Sequence, residues 1–139
     1  MVPVADLTSA DAINDSFLLS NAVPQNPQMN SGVWRKLENS IRTLSMNSSV
    51  IVFTGPLFDC PETRHIGAHN VAVPCAIFKA VLVEKGEQKA VHAVVVPNDA
   101  TATGELSDYA VSLTELQRRS GFEFFAIAFS AVSAISSPR

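Results

Sequence analysis

The chain has no excess of positive charge: 10 Lys and Arg stand against 13 Asp and Glu, a formal net charge of -3. No global field therefore draws it onto nucleic acid, so such contact would need a local basic face or a bound cation. Candidates for that face are few: Arg35, Lys36 and Arg42 on one predicted helix, Arg118 and Arg119 on another. Cysteine is also scarce. Cys60 and Cys75 show no Cys-x-x-Cys spacing, which excludes a zinc ribbon and a dithiol redox motif, and both are expected as ordinary half-buried thiols. The longest apolar tract, 122–135, carries Glu123 and is too short to span a bilayer comfortably, so no membrane partner is expected. No signal or transit peptide, internal repeat or low-complexity linker is visible.

What is present is globular material. Hydrophobic residues make up 47% and charged residues 17% of 139, enough to bury roughly two thirds of the unfolded surface in a single domain, 1–139. Residues 1–18 are turn-rich, and 20–30 form a polar loop punctuated by proline. From Val33, the apolar residues Trp34, Leu37, Ile41 and Leu44 recur at spacings of three and four, which predicts a helix ending near Met46-Asn47. The period then changes. Val50-Ile51-Val52-Phe53-Thr54, stopped by Gly55-Pro56, reads as a buried strand. Residues 58–70 read as a loop, and the runs 71–84 and 90–96 as an antiparallel hairpin with Pro74 at a bulge or edge. Ser112-Leu113-Thr114-Glu115 fits a capping box for a short helix closed by Gly121. Residues after Phe122 are ambiguous between strand and helix. The sum is an α+β chain on an antiparallel sheet.

The stretch from residue 19 to 38 concentrates the chemistry. It contains Ser-Asn-Ala-Val-Pro-Gln, with Asn21 and Gln25, then Asn30-Ser31-Gly32-Val33-Trp34, then Glu38 near the same helix face. Taken singly, these residues have ordinary readings. Asn30 would be a helix N-cap, Glu38 a solvated glutamate pairing with Arg42 at i+4, and Asn21 and Gln25 partners for loop backbone. Taken together, the stretch resembles the metal-binding segment of the DNA/RNA non-specific endonucleases, the ββα-metal nucleases that include endonuclease G. Val2-Pro3-Val4-Ala5-Asp6, Val52-Phe53-Thr54-Gly55-Pro56, Asn70-Val71-Ala72-Val73-Pro74 and Ser112-x-x-Glu115-Leu116 match the family in order, to about Phe125.

The resemblance implies a partial ββα-metal fold, an antiparallel sheet with a ligand-bearing helix. It implies Mg²⁺, with Mn²⁺ as an alternative, held by Asn30 as its one protein ligand; such an ion keeps most of its waters. Glu38 would hold those waters, while Asn21 and Gln25 would organise the site. The substrate would be DNA and RNA, gripped through phosphates. The family's general-base histidine lies in an Asp-Arg-Gly-His motif just before the segment that begins here at Met1. His65, His69 and His92 do not occupy that place. The His65/His69 pair lies in a loop without thiolate or acidic company and is not expected to bind metal. The chain therefore reads as the second half of such a nuclease, inactive alone, paired with itself or with a chain covering the missing half. Family resemblance points to a mitochondrial address. The alternative is a non-catalytic pseudo-nuclease serving as a structural or assembly subunit.

Overall fold

A computed structural model of the chain describes residues 1–126. Its helices are α1 (Ala10–Ser16), α2 (Pro27–Met29), α3 (Arg35–Ser45) and α4 (Leu113–Ser120). Its strands are β1 (Ser49–Leu57), β2 (Arg64–Ile66), β3 (Val71–Val73), β4 (Ala76–Lys85), β5 (Gln88–Pro97) and β6 (Ala110–Val111). The main sheet runs β1-β4-β5-β6, antiparallel throughout, and β2 and β3 form a separate hairpin. The expected α+β architecture is what the chain adopts. No helix among the described residues is long and apolar enough to cross a membrane.

β4 is buried from Ala76 to Leu82 because it lies between two strands and is covered on both faces. Strand alternation sends Phe78, Ala80 and Leu82 to one face, where Leu57, Ala93, Val95, Leu116, Phe124 and Phe125 complete a core. Ile77 goes to the other, with Val94 and Val96 of β5, against Met29, Val33, Trp34 and Leu37. The helical stripe read from the sequence is thus the apolar face that seats α3 on the sheet. Ser112 caps α4, its hydroxyl accepting from the Glu115 N–H at 3.0 Å, and Gly121 ends that helix at φ 74.

Four expectations need correction. Residues 50–54 do form a strand, but not a buried one. β1 is an edge whose sole described neighbour is β4, and Ile51, Val52 and Phe53 are 45%, 37% and 44% exposed. A continuous apolar run signals burial only when something covers both faces, and among the described residues only the Gly55–Leu57 end is well enclosed. The run 71–84 is two strands. Pro74, with no N–H for the ladder, sits between β3, which pairs with β2, and β4, which pairs with β1 and β5.

Cys60 and Cys75 are not free thiols but a disulfide, with Cα atoms 6.2 Å apart. Their lack of a short-range motif said nothing about a bridge across 15 residues. The tertiary fold brings them together, the Cys75 N–H donating to Leu57 O at 3.0 Å. Lastly, the turn-rich start and the loops hold short elements: α1 capped by Ser9, α2 in the proline loop and β2 within 58–70. The ambiguity after Phe122 is settled only in part: Phe124 and Phe125 are buried in irregular chain, and 127–139 lie outside the described residues.

Candidate metal and phosphate site

The chain reaches the site through two linked turns. Asn26, not Asn30, is the helix cap: its Oδ1 accepts from the N–H groups of Gln28 and Met29 at 3.0 and 3.2 Å. Pro27 follows at the first helical position, where its missing N–H costs nothing. Asn30 is already helical, at φ -62 and ψ -47, and its N–H donates to Asn26 O at 2.9 Å. The next turn, Asn30–Trp34, is π-type and breaks at Gly32 (φ -96, ψ -108), after which α3 runs regularly. With the cap supplied by Asn26, the Asn30 side chain is exposed and has no hydrogen bond within the described chain. The N-cap reading of Asn30 fails for that reason.

Asn21, Gln25, Asn30 and Glu38 line one cleft of about 470 Å³, with Trp34, Arg35, Asn39, Arg42 and the first residues of the chain. Their roles there differ. Asn21 is fully spent on backbone. Its Oδ1 accepts from the Met1 amino group and from the Val2 N–H, the latter at 2.7 Å, while Nδ2 donates to Val2 O and Ser16 O at 3.1 and 3.0 Å. It organises the cleft wall and has no donor or acceptor to spare. Gln25 is half-buried, and its side chain carries no described hydrogen bond. Glu38 is half-buried as well. It does not pair with Arg42, which bonds Asp6 at 2.7 Å and Asn39 Oδ1 at 2.8 Å. Burial pushes the Glu38 carboxyl above its ordinary value, against the pull of the Lys79 ammonium.

Two functional candidates escaped sequence reading. Lys79 is a charge in the middle of β4, 2% exposed, with Nζ 3.8 Å from Glu38 Oε1 and 4.7 Å from the centre of the Trp34 ring. The available signal was a lone lysine inside the continuous apolar run 76–83, at a position whose alternation faces α3. Asn98 is the other buried polar residue among those described. Its Oδ1 accepts from the Asn26 N–H at 2.7 Å, and its Nδ2 donates to Pro24 O and Pro74 O at 3.0 and 2.8 Å. One amide thus clamps the backbone on both sides of Gln25, and nothing local in Pro97-Asn98-Asp99 announces it.

His65, His69 and His92 are exposed and none lines the cleft. Among the described residues, no group of three His, Cys, Asp or Glu side chains gathers. The donors on the cleft wall are amide and carboxylate oxygens, which suit a hard, hydrated cation rather than zinc or copper.

The profile of the family described as DNA/RNA non-specific endonuclease matches residues 1–129. The chain belongs to this family. It is 39% identical over 133 residues to the mouse mitochondrial nuclease EXOG, covering 84% of this chain and 36% of that protein. It is 36% identical over 138 residues to nuclease C1 of Cunninghamella echinulata var. echinulata, covering 90% of this chain and 55% of the relative. Among solved structures it matches a chain of the EndoG/EndoGI complex, reported for the mechanism of EndoG inhibition. The TM-score is 0.74 at 30% identity, over 81% of this chain and 51% of the other. The fold is accordingly the ββα-metal nuclease fold, of which the chain spans roughly a third to a half of the curated relatives' length.

Proposed function

We propose that this chain carries the metal- and phosphate-binding half of a Mg²⁺-dependent, sugar-non-specific nuclease acting on DNA and RNA. The observation that carries the reading is the Asn30 amide: released from capping by Asn26, unbonded, and on the same cleft as Gln25 and Glu38. Its oxygen would be the single protein ligand of Mg²⁺ or Mn²⁺. Glu38 would accept hydrogen bonds from the ion's water shell, and Gln25 would orient a phosphate oxygen. Asn21 would keep the Met1–Val2 backbone in register with them. Bound there, the ion supplies positive charge to the phosphate and to the leaving oxygen. Contacts confined to phosphate would leave base sequence unread. The mitochondrial relatives support a mitochondrial address.

No described residue lining the cleft is a neutral imidazole placed to take a proton from water. General-base catalysis is worth about 10² to 10⁴-fold. The isolated chain is therefore expected not to cut plasmid DNA, and clear Mg²⁺-dependent cleavage would show that another group supplies the base. In the full-length gene product, Asn30→Ala should lower the cleavage rate by at least about 100-fold, the equivalent of several kcal/mol of charge stabilisation. Unchanged cleavage would remove Asn30 from the mechanism.

The exposed β1 edge supports a second part of the proposal. Backbone left unpaired among the described residues beside Ile51, Val52 and Phe53 is a template for added strands. A second copy, or a chain supplying the rest of the family fold, would cover it. Light scattering on the isolated chain should show dimers or larger species; a clean monomer would count against this. The same edge favours the alternative of a non-catalytic assembly subunit, which cleavage by the unaltered full-length gene product would exclude and its absence would leave standing.

A further inference from the structure

Lys79 is an expensive residue to place where it is. A buried charge costs several kcal/mol unless it is paired, and an aliphatic side chain between Ile77 and Val81 would continue the α3 face without that cost. Among the described residues its ammonium donates one hydrogen bond, to Thr54 Oγ1 at 2.9 Å. Its ammonium also lies 4.7 Å from the centre of the Trp34 ring and 3.8 Å from the Glu38 carboxylate, and both of these residues line the cleft.

The other charges facing this pair have been placed. Asp6 approaches from the turn Val4–Asp6, and Arg42 from α3 itself, but these two bond each other at 2.7 Å. The Met1 amino group faces Lys79 from the chain start and is bonded to Asn21. Among the described residues Lys79 is therefore the cation that stabilises the Glu38 carboxylate most, ahead of Arg42. At 3.8 Å the two do not form a tight hydrogen-bonded pair, and the Trp34 side chain also hydrogen-bonds the Glu38 carboxylate, so Lys79 acts on Glu38 through its charge. The Trp34 ring, stacked on the ammonium, fixes the direction from which that charge acts.

We infer that Lys79 is a positioning residue: from inside β4 it acts through Glu38, holding that carboxylate ionised and turned to the cleft. The inference rests on reading Glu38 as the site's carboxylate. It is tested without metal and without activity, on the whole chain, by ¹³C NMR titration of the Glu38 carboxyl, assigned with Glu38→Gln. Lys79→Met, which keeps the packing against Trp34 and removes the charge, should raise the Glu38 midpoint by about one pH unit or more. An unmoved midpoint in a folded Lys79→Met chain would overturn the inference.

If Lys79→Met does not fold, the reciprocal measurement decides. Glu38→Gln should lower the Lys79 midpoint, read at its ¹³Cε, by a comparable amount, and an unmoved Lys79 would overturn the coupling. A separate titration with Mg²⁺ alone, followed at the Asn30 and Gln25 side-chain amides, keeps the two readings apart. Coupling of Lys79 to Glu38 with no Mg²⁺ response would defeat the functional reading, and with it the positioning role, while leaving the charge coupling itself established.

Discussion

The two faces of the sheet are laid down by the same strand and differ by a single charge. On the α4 face, β4 presents Phe78, Ala80 and Leu82 to an apolar core in which Phe78, Phe124 and Phe125, with the partly exposed Phe53 of β1 at its rim, meet with ring centres 5.2–6.4 Å apart. On the α3 face the corresponding positions are Ile77, Lys79 and Val81, and the apolar packing is interrupted where it passes beneath Glu38. The first face is a packing solution. The second gives up part of its packing to place a cation 3.8 Å from Glu38, one of the residues lining the cleft with Asn30 and Gln25.

That contrast can be broken from either side. Leu82→Ala, on the α4 face at 0% exposure, should cost about 2–5 kcal/mol in urea unfolding, with the Glu38 midpoint unmoved in the folded protein. If Leu82→Ala shifted Glu38 as strongly as Lys79→Met does, the faces would not be functionally distinct. Next in size is the Cys60–Cys75 disulfide, which closes the loop beside the Leu57 end of β1. Closing a 15-residue loop is worth about 3 kcal/mol by the chain-entropy account, so Cys75→Ser should lower the melting temperature. An unchanged melting temperature would mean that the bridge adds nothing to stability.

The smallest effect separates the faces by sign. Near the α4 face, hydrogen bonding to Arg119 holds the Asp59 carboxyl below its ordinary 3.8. The folded chain then binds that proton less tightly than the unfolded chain. The resulting stability is complete above 3.8 and is lost as pH falls through the folded value. On the α3 face, burial raises Glu38 above its ordinary 4.5, so the folded chain binds that proton more tightly. Its contribution favours folding below 4.5 and is lost as pH rises through the folded value. Urea unfolding between roughly pH 2 and 7 should show Asp59→Asn flattening the acid limb and Glu38→Gln flattening the opposite one. The same sign for both carboxyls would contradict the assignment of their environments.

Much of this was legible in the chain because it rests on local rules. The 3–4 spacing of Trp34, Leu37, Ile41 and Leu44 needs only helical geometry to become a buried stripe. The Ser112 cap and Gly121 stop needed only the helix's own unpaired groups. The cleft residues were found as an ordered motif. What local rules could not show was which asparagine caps and which stays free, since Asn26 and Asn30 lie four residues apart and either type can cap. Lys79 and Asn98 were missed because their roles lie across the fold, on Glu38 41 residues away and on Asn26 72 residues away. The β1 edge was misjudged because an apolar run records how a strand prefers to sit, not whether anything sits against it.

By itself the sequence settled the family, the helix that carries Glu38, and the antiparallel sheet beneath it. Each depends on residue order and short-range periodicity alone. Tertiary structure alone decided that Cys60 meets Cys75, that Asn98 clamps the loop around Gln25, and that Lys79 lies beneath Glu38. Those pairings join residues distant along the chain, where only strand register and helix docking determine which side chains share a space.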